Sequence, residues 1–240
     1  DGDGARWPAR AATRRDVPAV IARRETGATT VSATALLAAR AGVSVFVTGG
    51  IGGVHRGGEA SMDVSADLTE LGKTPVAVFC AGAKSVLDIP RTLEFLETQG
   101  VAVVGYGVKE FPAFFSRSSG CDAPAVAASP EQAARMIRAA KTLGLGGSVF
   151  GVPIPEAHEA AGREVQRAID RALAEAEAKR VKGADVTPFL LKRIRELSGG
   201  ASLEANLALV RNNAEVGADV AVALARLAAE EREGGEEGGV

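Results

Sequence analysis

Three kinds of chemically useful residues lie close together in one short part of the chain. Residues 48–53 form a glycine-rich loop, Asp63 and Asp67 flank a serine, and Lys84 follows an apolar run. Backbone amides of such a loop can bind an oxyanion, carboxylates can bind a cation, and an amine can attack a carbon centre. Their concentration between Thr48 and Lys84 predicts a reaction site.

Lys84 follows Cys-Ala-Gly-Ala at the carboxyl end of a predicted strand, where open α/β sheets place their ligands. An amine there is nucleophilic when desolvation or a neighbouring cation favours its neutral form. The structural alternative is a solvated lysine at a helix start, paired with Asp88 four residues later. Both interpretations of Lys84 stay open at this point.

The glycine loop and its neighbours have similar alternatives. The loop lets the backbone approach a phosphate or sugar oxygen, although it has neither the dinucleotide nor the Walker spacing. Asp63 and Asp67 could hold a hard divalent cation together with waters. His55 could transfer a proton or support a ligand. The alternatives are a helix cap for Asp67 and a loop hydrogen bond for His55.

Composition excludes several classes of protein. The chain has 240 residues, is 46% hydrophobic and 24% charged, and has a net charge of -2, so it is globular without a nucleic-acid-binding charge pattern. We find no apolar run long enough for a membrane span and no secretory leader. Cys80 and Cys121 cannot form a disulfide framework, so we expect a reduced, cytoplasmic protein. Cys80 is predicted to be a buried structural thiol.

Hydrophobic patterns and capping signals alternate between strands and helices. Predicted strands cover residues 44–47, 75–79, 101–106 and 148–152, and predicted helices cover 29–42, 65–72, 91–99 and 129–143. This alternation indicates a mostly parallel sheet covered on both sides. From residue 155 onward the pattern is helical, over 159–179, 188–197 and about 203–227.

The two ends of the chain lack these patterns. Residues 1–13 have no apolar periodicity, so we expect ordered structure to begin near Arg14. Residues 230–240 read as a frayed acidic tail rich in Gly and Glu. Neither an internal repeat nor a linker divides the rest, and residues 14–229 are predicted to form one domain.

Several motifs together resemble the pseudouridine-5'-phosphate glycosidases, also called the indigoidine synthase A-like family. The matching stretches are Thr-Gly-Gly-Ile-Gly-Gly-Val-His-Arg-Gly (48–57), Asp-Val-Ser-Ala-Asp-Leu (63–68), Cys-Ala-Gly-Ala-Lys-Ser (80–85), Phe-Pro-Ala-Phe-Phe (111–115), Pro-Ile-Pro (153–155), Thr-Pro-Phe-Leu-Leu (187–191) and Asn-Asn-Ala (212–214). The likeness extends from about Arg14 to the last helix.

The resemblance implies an activity, a cofactor and a fold. Family members cleave the C–C glycosidic bond of pseudouridine 5'-phosphate, giving uracil and ribose 5-phosphate, with a manganese ion in the site. The implied fold is a three-layer α/β/α domain around a mostly parallel or mixed sheet, with a helical C-terminal part, assembled as a homotrimer. No nucleic acid or membrane partner is expected.

The resemblance also implies roles for individual residues. The family's nucleophile falls on Lys84, which would form an imine with the opened ribose, and its metal ligand falls on Asp63, with Asp67 as the alternative. The substrate-binding positions fall on Val31, Ser65, Ala66, Asp67 and Asn206, and His55 is added as a possible substrate contact.

Two departures from the family pattern set up a second hypothesis. The family's proton-donating glutamate lies in an Ala-Leu-Glu-Ser-Thr motif, which this sequence does not contain, and the family's substrate-binding lysine is replaced by Ala11. We therefore expect an N-terminally truncated family member with little or no turnover. The alternative function is a non-catalytic phosphosugar-binding or scaffold protein of the same family.

Overall fold

A computed structural model of the chain describes residues 10–179, 181, 186–199 and 201–237. The strands are β1 Arg10–Ala12, β2 Gly27–Thr29, β3 Val45–Val47, β4 Val54–His55, β5 Ala77–Cys80, β6 Leu87–Asp88, β7 Ala102–Tyr106, β8 Ala125–Ala127 and β9 Ser148–Gly151. The helices are α1 Val17–Arg23, α2 Val31–Arg40, α3 Gly58–Ser61, α4 Ala66–Leu71, α5 Ile89–Thr98, α6 Pro130–Thr142, α7 Glu159–Ala178, α8 Val186–Ser198 and α9 Ala201–Glu237.

The main sheet has five strands in the order β3-β5-β9-β7-β8, and all its pairings are parallel. Two small sheets lie beside it: β1 and β2 pair parallel, and β4 and β6 pair antiparallel. The main sheet confirms the prediction of a mostly parallel arrangement. Because parallel strands end at the same edge, the loops after β3, β5 and β9 lie side by side.

Each face of the sheet is covered by helices. Successive residues of a strand point to opposite faces, and Val78 packs in a core with Leu68 of α4 and Leu96 of α5. On the other face, Phe79 stacks on Phe150 with ring centroids 4.5 Å apart, in a core to which α6 and α9 contribute. These two cores confirm the three-layer α/β/α architecture.

The predicted helical C-terminal part is also present. Helices α7 and α8 pack on each other and on the start of α9, around a third core that includes Ile169, Ile194 and Leu209. Among the described residues, no helix is both long and apolar enough to span a membrane.

The ends of the described chain differ from the sequence-based expectation. β1 begins at Arg10, four residues before the predicted start of order, because its backbone pairs with β2. Arg14 then donates two hydrogen bonds to the buried carboxylate of Glu70, at 2.8 and 3.0 Å. At the other end, α9 continues to Glu237, through most of the segment predicted as a frayed tail. Residues 1–9 and 238–240 lie outside the described residues.

Candidate functional site

Lys84 lies where the chain leaves the end of β5 and runs beside the glycine loop (residues 49–53). The backbone N–H of Ile51 donates to the carbonyl of Gly82 at 3.1 Å, and the N–H of Lys84 donates to the carbonyl of Ile51 at 3.1 Å. These bonds extend the parallel pairing of β3 and β5 beyond the sheet. The Lys84 side chain is exposed, and in the described part of the chain it forms no ion pair.

The structural alternative for Lys84 is wrong in its details. Lys84 precedes β6 in a loop and does not start a helix, and Asp88 is the N-cap of α5, where it accepts from the N–H of Arg91 at 3.0 Å. Burial acts to raise the pKa of Asp88, but the hydrogen bonds and charge of Arg91 and the charge of Arg56 bring it below its usual value. The carboxylate of Asp88 is therefore paired with Arg91 and not with Lys84.

Asp67 joins the glycine loop to a helix N-terminus. Its carboxylate is buried, and its two oxygens accept hydrogen bonds from the N–H groups of Ser32 at 2.8 Å and Gly52 at 2.9 Å. Ser32 lies in the first turn of α2, where backbone N–H groups have no partner within the helix. The predicted helix cap is thus real, but the capped helix is α2. Ser65 caps Asp67's own helix, α4, by accepting from the N–H of Asp67.

Two glycines of the loop permit this close packing. A Cβ placed on Gly52 would lie 2.1 Å from Ser65 Oγ and 2.7 Å from Asp67 Oδ2. A Cβ on Gly53 would lie 2.4 Å from Thr92 Oγ1, which accepts from the N–H of Val54. The N–H of Ser65 also donates to the carbonyl of Gly53 at 3.0 Å. The backbone of the loop therefore packs directly against Ser65 and Asp67.

Asp63 and His55 face solvent beside the loop. The side chain of Asp63 is 59% exposed, and its Oδ2 lies 3.8 Å from His55 Nδ1. The His55 N–H donates to the Asp63 carbonyl at 3.0 Å, so the predicted loop hydrogen bond of His55 is formed by its backbone. Among the described residues there is no cluster of three or more His, Cys, Asp or Glu side chains arranged to hold a metal.

The remaining predicted substrate-binding residues surround the same loop. Val31 is the first residue of α2 and is buried, whereas Ala66 starts α4 and is exposed. Asn206, on α9, places its Oδ1 3.4 Å from the Cβ position of Gly49. The structure thus brings the predicted residues of the site together around the glycine loop; their chemical roles stay predictions.

Phe114 belongs to this region although sequence reasoning gave it no role. Its φ of 63° is unusual for a bulky residue, and its N–H donates to the carbonyl of Ala81 at 2.7 Å. Its ring fills the space beside Gly50, where a Cβ would come within 2.4 Å of the ring. The Phe-Pro-Ala-Phe-Phe motif marked this segment, but nothing in it indicated the left-handed backbone.

Cys80 behaves as expected for a structural thiol. It is fully buried in β5, and burial raises its pKa to about 12, against smaller opposing effects of backbone hydrogen bonds. A thiol with so high a pKa is not a nucleophile at neutral pH.

A cavity of about 570 Å³ is lined in part by Ser85, the residue after Lys84. Its lining includes Arg56, Ser85, Ser116 and Gln166. A second cavity of about 680 Å³ lies away from Lys84, between α5 and strands β7 and β8. The lining of the first cavity contains Ser85, which directly follows Lys84, but none of the predicted site residues themselves.

Comparisons with known proteins identify what the chain is similar to. A family model described as indigoidine synthase A like protein matches residues 6–223. The chain is 56% identical over 214 residues to a pseudouridine-5'-phosphate glycosidase of Arabidopsis thaliana, covering 89% of this chain and 65% of that protein. It is 54% identical to the enzyme of that name from Methylobacterium nodulans, covering 88% of this chain and 63% of that protein. The chain thus spans slightly under two thirds of the length of these two relatives.

Two solved structures share the fold. The prealnumycin C-glycosynthase AlnA in complex with ribulose 5-phosphate superposes with a TM-score of 0.85 at 36% identity, covering 94% of this chain and 75% of that chain. An indigoidine synthase A-like protein of Thermotoga maritima superposes with a TM-score of 0.80 at 40% identity, covering 90% of this chain and 72% of the other.

Proposed function

We propose that this chain, which belongs to the family of indigoidine synthase A like proteins, acts on pseudouridine 5'-phosphate as a glycosidase. The observation that carries the proposal is the position of Lys84. It is an exposed amine without an ion pair in the described chain, at the carboxyl end of a central parallel strand. The products would be uracil and ribose 5-phosphate, so the reaction belongs to nucleotide breakdown.

The surroundings of Lys84 suit a sugar phosphate. Helices α2 and α4 begin beside the glycine loop, at Val31 and Ala66. Asp67 and Ser65 each accept from one first-turn N–H group, and the remaining first-turn N–H groups would be the donors to an oxyanion. The hydroxyl of Ser65 and the amide of Asn206 add polar groups at the same loop. Asp67 supports this arrangement through its bonds to Ser32 and Gly52. Sugar phosphate binding by AlnA, a family neighbour, is consistent with this assignment.

The chemistry follows from the bond to be broken. A C-glycoside has no leaving oxygen to protonate, so the electron pair of the C–C bond needs another route. In the proposed reaction the Lys84 nitrogen gives up one proton to water and attacks C1' as the ring bond from C1' to O4' breaks, and a proton from the new C–N centre passes to O4'. The nitrogen lone pair then forms a C=N bond as the C–C bond breaks, and the uracil carbon takes a proton. Water hydrolyses the imine, which releases ribose 5-phosphate and regenerates Lys84.

The residues present fit a hydrated manganese ion. Mn²⁺ prefers hard oxygen ligands, and the exposed carboxylate of Asp63 offers one without breaking any side-chain hydrogen bond that the structure shows. Asp67 is the weaker candidate because both its oxygens already hold backbone N–H groups. A bound divalent ion would supply positive charge that stabilises negative oxygen atoms of the substrate. His55 would help to orient Asp63.

The proposal includes a homotrimer in the cytoplasm, on the basis of family membership and composition. Analytical ultracentrifugation of the purified chain would test the assembly. A mass of one or two chains would contradict the trimer without touching the chemistry of Lys84.

Turnover tests the function directly. The purified chain would be incubated with pseudouridine 5'-phosphate and MnCl₂, and uracil would be measured by chromatography, with Lys84→Ala as the control. Release of uracil that needs Lys84 supports the glycosidase. The second candidate, a non-catalytic phosphosugar-binding or scaffold protein of the same family, is favoured by Ala11, which stands where the family resemblance implies a substrate-binding lysine. It predicts binding of ribose 5-phosphate in a calorimeter, no uracil, and no borohydride-trapped adduct on Lys84, whereas a glycosidase with little turnover would still form that adduct.

A further inference from the structure

Two consecutive asparagines of α9 reach the strand ends on either side of β5. Asn213 donates from Nδ2 to the carbonyl of Thr48 at 2.9 Å, just after β3. Asn212 donates from Nδ2 to the carbonyl of Pro153 at 3.1 Å, just after β9. In the sheet, β3 and β9 are the two neighbours of β5, so the pair of amides brackets the strand that leads to Lys84.

The carbonyl that Asn213 binds has left the regular ladder. The Thr48 N–H donates to the Phe79 carbonyl at 3.0 Å, so regular parallel pairing would bring the Ala81 N–H to the Thr48 carbonyl. Instead the Ala81 N–H donates to the Gly49 carbonyl at 2.9 Å. The displaced carbonyl of Thr48 needs another donor, and Asn213 supplies it. The amide thus stabilises the irregular turn from β3 into the glycine loop.

Close packing of α9 on the sheet allows so short a side chain to reach the backbone. Gly217, one turn after Asn213, lies so near β3 that a Cβ there would be 2.4 Å from Val47 Cγ2. A side chain at Gly217 would push α9 away and break the Asn213 contact. The position of α9 therefore determines whether Asn212 and Asn213 can reach the ends of β9 and β3.

Asn213 occupies its place at an energetic cost. Its side chain is fully buried, and its Oδ1 has no hydrogen-bond partner among the described residues. A buried acceptor without a donor is destabilising, and such groups are rare in folded proteins. The opposite orientation of the amide would point Oδ1 at the carbonyls of Thr48 and Gly49. The Thr48 carbonyl therefore gains its donor from an orientation of the amide that leaves Oδ1 unpaired.

We propose that Asn213 is a positioning residue, which fixes the glycine loop beside Lys84, and that Asn212 fixes the β9 side of the same opening. The consequence for reactivity rests on the proposed function, because Lys84 is taken to form an imine with ribose 5-phosphate. The consequence for the loop does not depend on it.

Four proteins test this proposal: the unaltered chain, Asn213→Ala, Asn213→Asp and Asn212→Ala, each checked for folding by circular dichroism. Asn212→Ala is the matched control, since it removes the same group from the neighbouring position. Amide hydrogen exchange would be followed by mass spectrometry in peptides that cover residues 48–53 and 152–155. Borohydride trapping of ribose 5-phosphate would give the rate of imine formation.

The expected pattern is specific. Asn213→Ala should speed exchange in residues 48–53 but not 152–155, and Asn212→Ala should do the reverse. Trapping by Asn213→Ala should slow by about tenfold or more, since small misplacements of reacting groups are costly. In Asn213→Asp, burial and the facing carbonyls favour the protonated carboxyl. The protonated group can donate to Thr48, so its trapping rate relative to the unaltered chain should rise as pH falls.

The experiment separates the positioning of the loop from the reactivity of Lys84. If residues 48–53 exchange at the same rate in folded Asn213→Ala and Asn213→Asp as in the unaltered chain, Asn213 does not position the loop. If the loop loosens but trapping is unchanged, the positioning does not serve Lys84. If the unaltered chain traps nothing while the loop still loosens in the variants, the proposed function fails and the positioning of the loop stands.

Discussion

Asp63 and Asp67 allow a matched experiment. The same substitution, Asp to Asn, replaces a carboxylate by a carboxamide at both positions, and the structure predicts a different effect at each. Asp67 is 4% exposed and accepts two backbone hydrogen bonds, whereas the side chain of Asp63 is 59% exposed and its Oδ2 lies 3.8 Å from His55 Nδ1. We expect Asp67→Asn to lose stability. We expect Asp63→Asn to keep its stability and to bind manganese less well.

The size of the Asp67 effect follows from its two bonds. A carboxamide oxygen can keep the bond from Ser32 or the one from Gly52, but its NH₂ group then faces the other N–H. Each hydrogen bond to a charged group contributes about 1.5–3 kcal/mol, and a buried donor left unpaired costs about 1–3 kcal/mol. We therefore expect Asp67→Asn to lower the free energy of unfolding by about 2–4 kcal/mol. That is a large part of the roughly 5–15 kcal/mol of a typical domain.

Urea denaturation followed by circular dichroism measures this difference. The midpoint of Asp67→Asn should fall by about 1 M or more, while Asp63→Asn should stay within about 0.5 kcal/mol of the unaltered chain, as exposed substitutions usually do. Manganese binding, measured by the electron paramagnetic resonance signal of free Mn²⁺, should weaken in Asp63→Asn. Equal stability of the two variants would refute the structural role of Asp67, and unchanged manganese binding in Asp63→Asn would refute the metal role of Asp63.

Two further predictions concern packing and pH. Gly52→Ala should destabilise the fold by about 1–3 kcal/mol, because the added Cβ would lie 2.1 Å from Ser65 Oγ. Gly27→Ala is the control, since its Cβ would lie 3.2 Å from the nearest atom, the Cβ of Ala12. Thermal unfolding of both variants should show the smaller loss of stability in Gly27→Ala. Burial raises the pKa of Cys80 from 9.0 to about 12, so the thiol loses its proton at lower pH in the unfolded chain than in the folded one. Its contribution to the free energy of unfolding is therefore complete below pH 9. As pH rises towards 12, the free energy of unfolding should fall by up to about 1.4 kcal/mol per pH unit. Urea titrations at pH 8 to 11 should show a shallower fall in Cys80→Ala than in Cys121→Ala, and equal slopes would contradict the burial effect.

Local patterns in the sequence were enough to predict most of the layers. Alternation of apolar runs and capping signals predicted the central strands and the helices. The helix predicted over residues 129–143 is α6, and Ser129 caps it by accepting from the N–H of Gln132. Pairing that depends on distant residues was not predictable in this way. β4 and β6 have two residues each, too few for periodicity, and β1 forms because β2 lies beside it.

The candidate site shows the same limit. Residue types and spacing, together with the family resemblance, predicted Lys84, Asp63 and Asp67 as members of one site, and their chemical roles stay predictions. The hydrogen bonds that Asp67 and Asn213 form could not be predicted from the sequence. Ser32 lies 35 residues from Asp67, and Thr48 lies 165 residues from Asn213. Long-range hydrogen bonds of this kind leave no periodic trace in the sequence.

The identity of the lysine that reacts with the sugar phosphate tests the central claim most directly. The chain would be incubated with ribose 5-phosphate and sodium borohydride, digested, and mapped by mass spectrometry. The account predicts one reduced ribose phosphate adduct, on the peptide that contains Lys84, and no adduct on that peptide in a folded Lys84→Ala variant. An adduct on another lysine, or no adduct at all, would contradict it.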